Sequence, residues 1–150
     1  MVIIAGFRFN NNFRCVINIE PKLDIYNIEI PSMIIQPFIE NAILHGLQNK
    51  FSLLNEQKKE FKGEIILDFS GNDEFIKCRI KDNGIGREKA EEIKKNKLFA
   101  HKSMGMRVTK DRLDLLSQNK CKIEFVDLKD ENGNAIGTQV EILITASSEF

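Results

Sequence analysis

The sequence predicts an α+β fold, a two-layer sandwich of one sheet and the helices packed on it. Segments 13–20, 65–69, 76–80, 121–128 and 138–145 alternate apolar and polar residues with the period of strands. Two pairs of these are joined by short turn-rich links, which favour antiparallel neighbours. Helical periodicity falls between the strand groups, and a purely parallel sheet would need a crossover at every join.

In chain order, Phe13, Cys15, Ile17 and Ile19 alternate with Arg14, Asn18 and Glu20, the mark of a half-buried first strand. "IPSMIIQPFIENAILHG", residues 30–46, puts Ile34, Ile35, Phe38, Ile39, Ala42 and Ile43 on one helical face. Ser32 serves as its N-cap, and Pro37, past the first turn, is expected to kink it. Residues 48–62, "QNKFSLLNEQKKEFK", lose the periodicity and gather charge, which reads as a surface connection. Ile65, Leu67 and Phe69 then pair with Ile76, Cys78 and Ile80 as a hairpin around "GND". A polar helix covers about 87–96, and a second, about 105–117, places Met106, Thr109, Leu113 and Leu116 on one side. The last two strands flank "KDENGNAIG". There Asp130, Asn132, Asn134 and Glu141 have calcium-loop spacing, but Ala135 replaces the turn glycine and no helices flank it, so a hairpin loop is the reading.

The 150 residues suit one domain with a single packed core. The 22 basic and 22 acidic residues cancel, so no global field draws the chain to nucleic acid or an anionic membrane, and any polyanion must be recognised locally. Cys15, Cys78 and Cys121 are odd in number and set in apolar alternation, which suits reduced core thiols in a cytosolic compartment. No apolar run reaches the roughly 20 residues that span a bilayer. The abrupt apolar start "MVIIAGF" reads as a join or as the cut end of an interdomain linker over residues 1–7.

Chemistry concentrates in a few places. Asp82 is in phase with Ile76, Cys78 and Ile80 and so faces inward, where an ionised carboxylate is costly without donors. Gly84 and Gly86 follow in "DNGIG", which suits either a tight turn or close backbone approach to a ligand. Thr138, in phase with Val140, Ile142 and Ile144, also points inward, unless its hydroxyl bonds back locally. A flat heterocycle carrying an amino group would satisfy Asp82 and Thr138 together. Asn41 and His45, one helical turn apart, flank the apolar stripe. They read either as a solvated polar rim or as an amide oxygen for Mg²⁺ with an imidazole for phosphate. "HKSMGMR" sets Ser103, Gly105 and Met106 at a helix start, where free N–H groups favour an anion, with Lys94, Lys95, Lys97 and Lys102 nearby. No G-x-x-x-x-G-K-[ST] occurs, which argues against a P-loop enzyme.

"ENA" on a helix, "DNGIG" after a strand, "SMGM" opening a helix and "GT" opening the last strand stand in the order of the N, G1, G2 and G3 boxes. The sequence thereby resembles the GHKL (Bergerat, HATPase_c) ATP-binding fold. "IPSMIIQPFIENAILHGL" with "GMRVTKDRLDLL" resembles more narrowly the LytS-type sensor histidine kinases, and the likeness runs from about Arg8 to Ile144. It implies a mixed, mainly antiparallel sheet covered on one face by about three helices. It implies a catalytic set of Asn41, Glu40 and His45, in which Asn41 holds the Mg²⁺ that bridges the ATP phosphates, Glu40 orients Asn41 or approaches the metal, and His45 lines the phosphate side. Asp82 would accept a hydrogen bond from the adenine amino group, assisted by Thr138 through water, while Gly84 and Gly86 let the chain pass the base. Gly105, with the neighbouring amides of Ser103 and Met106, would contact phosphate, and residues 94–104 would form a mobile ATP lid.

Where ATP-hydrolysing members of that fold carry a general-base glutamate, four residues before the metal asparagine, this sequence has Pro37. The implied chemistry is therefore phosphoryl transfer by positioning, with the acceptor histidine on a separate helical dimerisation domain and a response regulator further downstream. The resemblance further implies a monomeric, cytoplasmic domain of a parent anchored in a bacterial inner membrane. The alternative readings are a nucleotide-binding regulatory module of the same fold without phosphotransfer, and a GHKL ATPase. Leu44 stands where many relatives carry a lysine.

Overall fold

The computed structural model describes residues 2–5, 13–24, 26, 28, 30, 32–96 and 121–145. Six strands, β1 (Val2–Ala5), β2 (Phe13–Ile19), β3 (Gly63–Gly71), β4 (Phe75–Asp82), β5 (Cys121–Lys129) and β6 (Ala135–Thr145), form one sheet in the order β1-β2-β3-β4-β6-β5. β2 and β3 are parallel, with Phe13 opposite Gly63 and Ile19 opposite Phe69, and every other pairing is antiparallel. The sheet is thus mixed and mainly antiparallel. Its one parallel join is the one that needs a crossover, and the long helical segment after β2 supplies it.

That segment comprises α1 (Ser32–Asn41), a π-helical turn (Ala42–Leu47) and α2 (Gln48–Glu56), and α3 (Arg87–Asn96) follows β4. The period-two alternation has its consequence in the core. Cys15, Ile65, Leu67, Cys78, Ile80, Val140, Ile142 and Ile144 point from one sheet face onto Ile34, Phe38, Ala42 and Leu47 of the helices. The outward residues form a polar row: Asn18 donates to Asp68 at 2.7 Å, and Glu141 pairs with Lys77 and Arg79, each at 3.0 Å. This is the two-layer α+β sandwich, with one face buried and one wet.

Several expectations change. Residues 48–56 are helix rather than a surface connection. No residue of α2 is buried, so the segment lacks the apolar stripe that periodicity detects. Its good helix formers and the bonds from Asn49 to the His45 carbonyl (2.9 Å) and from Ser52 to the Gln48 carbonyl (3.0 Å) sustain it. It ends at Glu56, and just beyond it Lys58 takes a positive φ of 54° while the Lys59 N–H bonds back to the Leu54 carbonyl. Pro37 lies inside α1, and the departure from α geometry comes later, in the π turn. Val2–Ala5, which the periodicity left unassigned, pairs with β2.

The "GND" and "KDENGNAIG" turns are hairpins. The Asn72 side chain accepts from the Glu74 and Phe75 N–H groups, and Asp130 accepts from those of Asn132 and Asn134, so its carboxylate closes a turn. Cys15, Cys78 and Cys121 form no disulfide, and Cys15 and Cys78 are buried. The helix expected over 105–117, with Ser103, Gly105 and Met106, lies outside the described residues. No helix among the described residues is long and apolar enough to cross a membrane.

Candidate functional site

β4 ends on Asp82, and the inward alternation that buries Ile76, Cys78 and Ile80 carries the carboxylate inward too, to 6% exposure. It opens into a cavity of about 470 Å³ between the helices and the sheet. Phe38, Ala42, Ile80, Phe125 and Val140 form apolar walls, Asn41, His45, Asp82 and Thr138 contribute polar groups, and Arg87, Glu88, Glu91, Lys94 and Asp127 add a charged side. A cavity of this size and character, largely apolar with a few convergent polar groups, suits a small organic ligand.

Asp82 is satisfied by backbone. The Gly84 N–H donates to its Oδ1 at 2.8 Å, and Thr138, its ladder partner on β6, adds a main-chain hydrogen bond. Burial nevertheless pushes its pKa from 3.8 up to about 6, against the downward pull of those two bonds and of the Lys50 charge. Thr138 thus serves Asp82 through its main chain, while the residue itself lines the cavity alongside.

Two glycines allow this geometry. A Cβ on Gly84 would lie 2.5 Å from the Gly46 backbone, and one on Gly46 would lie 3.0 Å from Asp82 Oδ1. The π turn and the β4–α3 connection therefore touch main chain to main chain, and the Ile85 N–H donates to the Gly46 carbonyl at 3.2 Å. Within that turn the Gln48 N–H bonds the Ile43 carbonyl, the wide spacing of a π turn, which recurs at functional sites. Gly86 lines the cavity with φ +87°, a conformation that side-chain-bearing residues rarely adopt.

The structure brings Asn41, His45, Asp82, Gly86 and Thr138 to one cavity. Gly84 supports it from behind. Glu40 does not line it: the side chain is exposed and accepts a bond from Gln36 at 2.9 Å, as helical neighbours four apart do. Ser103, Gly105 and Met106 fall outside the described residues. Four further residues, which the sequence analysis did not single out, shape the site. Arg87 grips Asp127 in a two-pronged pair (2.7 and 2.9 Å) and lies 5.0 Å from the Phe125 ring centre, closing the cavity's β5 side. Lys50 and Asn83 stand behind Asp82. Only the inward phase of β5 hints at Asp127; the others occupy positions that no spacing rule links to the site.

The lining offers groups that suit a planar amino-bearing ring with a metal beside it: a buried carboxylate to accept from an exocyclic amine, apolar faces for a ring, and the Asn41 amide oxygen for a hard cation. No protein-family profile matches the sequence, and no curated protein matches it. The similarity found is to solved structures. The histidine kinase domain of the blue-light activated histidine kinase from Erythrobacter litoralis EL346 matches with a TM-score of 0.56 at 14% identity, over 92% of this chain and 54% of that one. The mycobacterial sensor histidine kinase MprB matches with a TM-score of 0.55 at 11% identity, over 89% of this chain and 82% of that one. The Acinetobacter baumannii histidine kinase AdeS matches with a TM-score of 0.50 at 12% identity, over 91% of this chain and 56% of that one. The chain thus spans little more than half of the blue-light kinase and AdeS chains. At such identities the likeness is one of fold, the α+β sandwich of histidine kinase ATP-binding domains.

Proposed function

We propose that this chain is the ATP-binding catalytic domain of a two-component sensor histidine kinase of the LytS type. It binds Mg-ATP and presents the γ-phosphate to a histidine on a separate dimerisation domain, from which a response regulator is served. The observation that carries the reading is Asp82: a carboxylate 6% exposed, held ionisable by main-chain donors at the floor of an apolar cavity that also receives Asn41 and His45. Such an acid would accept a hydrogen bond from the amino group of a planar base in the cavity that Ala42 and Val140 help to line. Asn41 would hold the metal, which neutralises phosphate charge when bound, and His45 would donate to phosphate.

Pro37 occupies the position at which a water-activating glutamate would be sought, so the proposed reaction is transfer rather than hydrolysis. Calorimetric titration with a non-hydrolysable ATP analogue and Mg²⁺ tests the binding half. Binding lost in Asp82→Asn and made insensitive to Mg²⁺ in Asn41→Ala is the expected result, and no binding by the wild-type chain would refute the reading. Supplying the acceptor domain in trans tests the transfer half through phosphohistidine. Binding without phosphohistidine would leave a regulatory nucleotide module, and steady-state hydrolysis abolished by Asn41→Ala would indicate an ATPase.

A further inference from the structure

Behind Asp82, on the side away from the cavity, the chain is tied at one residue. Asn83 Oδ1 accepts from the Glu64 N–H at 2.7 Å, its Nδ2 donates to the Lys62 carbonyl at 3.0 Å, and its own N–H donates to the Glu64 carbonyl at 3.2 Å. Its carbonyl accepts from Lys50 Nζ at 2.7 Å. Lys50 reaches this point from the first turn of α2, directly after the π turn, and its ammonium lies 4.8 Å from the Phe61 ring centre. A lysine is a poor choice for mere packing, since half-burying an ammonium costs free energy that a Met or Leu would avoid. Here it bonds the residue next to the cavity's acid, and does not line the cavity itself.

We propose that Lys50 is a positioning residue for Asp82. Its ammonium clamps the Asn83 carbonyl so that the β4 end keeps the carboxylate facing the cavity, and its positive charge adds to the main-chain bonds from Gly84 and Thr138 in favouring the ionised form. The proposal rests on the nucleotide-binding reading for its purpose, though its effect on the acid stands apart from any ligand. The physical sense is consistent: the attraction between Lys50 and Asp82 pulls the acid's pKa down and the lysine's up, against the opposing effect of burial on each. The other charged or titratable groups around Asp82 are His45 of the π turn, Arg87, Glu88, Glu91 and Lys94 of α3, and Asp127 of β5, all on the cavity side; Lys89 of α3 acts on Lys50 and lowers its pKa. His45 belongs to the side-chain type that titrates between pH 5 and 8, so an overall pH profile would mix the two groups.

The test therefore follows the Asp82 carboxyl carbon by NMR in the whole chain labelled with ¹³C-aspartate, the signal being assigned by its disappearance in Asp82→Asn. Lys50→Met is expected to move the Asp82 midpoint to higher pH. Lys50→Gln, which keeps a donor for the Asn83 carbonyl but no charge, is expected to move it in the same direction, and Lys50→Arg to leave it near the wild-type value. Binding of the ATP analogue at neutral pH should weaken roughly tenfold in Lys50→Met, the loss of one charge-assisted hydrogen bond that places the acid. An unchanged midpoint in both Lys50→Met and Lys50→Gln would overturn the proposal, and Lys50→Gln supplies the answer if Lys50→Met fails to fold. A shifted midpoint in a chain that binds no nucleotide would leave the positioning role standing and refute the function instead.

Discussion

Replacing Asp82 by Asn should make the protein more stable at neutral pH while abolishing its proposed ligand binding. Burial raises the Asp82 pKa from 3.8 to about 6. A folded-state pKa above the unfolded one means that the native protein holds its proton more tightly. Asp82 then favours folding below pH 3.8 relative to high pH, and this advantage is lost as pH rises through about 6. The difference, 6 − 3.8, is roughly two units at about 1.4 kcal/mol each, so keeping the acid ionised costs about 3 kcal/mol at pH 7.5. Asn removes that charge but sets an amide NH₂ among the Gly84 and Thr138 donors, which takes back part of the gain. A net stabilisation of about 1–2 kcal/mol remains. Urea unfolding of both proteins at pH 4, 5, 6 and 7.5 measures it: Asp82→Asn should be the more stable at pH 7.5, with the gap narrowing steadily toward pH 4. An Asp82→Asn protein less stable than wild type at pH 7.5, with a difference independent of pH, would refute the claim that the cavity's acid is held at a desolvation cost.

Gly84→Ala would drive a Cβ to 2.5 Å from the Gly46 backbone, so a loss of about 1–3 kcal/mol and weaker ligand binding are expected in thermal unfolding and calorimetry. Arg87 and Asp127 have side chains 42% and 32% exposed, so despite the two-pronged geometry a double-mutant cycle should return only about 0.5 kcal/mol of coupling, shrinking with added salt. Cys78 is fully buried with its thiol pushed up to about 12, mainly by burial, and should resist alkylation in the native protein at pH 8 while half-buried Cys121 reacts first, as read by mass spectrometry. A carboxylate at the cavity floor is left without its partner by a base that lacks a donor, so the triphosphate of unsubstituted purine riboside, which carries hydrogen in place of the adenine amino group, should compete on the order of 100-fold more weakly than ATP.

The sheet was legible because it is built from one rule. Cys15, Ile65, Cys78, Ile80 and Ile142 lie on the buried face with the period that the pleat dictates, and extending that period by one step put Asp82 inside. The same rule is silent on α2, where packing does not impose a stripe, and on the π turn, where the extra residue reflects contact with a distant loop. Lys50, Asn83, Arg87 and Asp127 escaped for a related reason: each acts through a partner far away in the chain, Lys50 on Asn83 and Arg87 on Asp127. Periodicity reports which way a residue faces along its own element, and carries nothing about what a second element brings opposite.

The way Asp82 is satisfied bears on what the cavity can do. A carboxylate has about four acceptor positions, and here fixed N–H groups of Gly84 and the Thr138 main chain occupy part of that capacity from the protein side. Main-chain donors cannot swing away as side chains can, so the carboxylate is oriented before any ligand arrives and its remaining capacity is aimed at the cavity. Ala42, Ile80 and Val140 line the cavity with it, and an apolar neighbourhood strengthens a hydrogen bond accepted there and equally penalises leaving it unmade. The desolvation cost stored in Asp82 is therefore largest in the empty protein and is relieved by a donor-bearing planar ligand, so that the same burial which destabilises the fold sharpens the site's preference for an amino group.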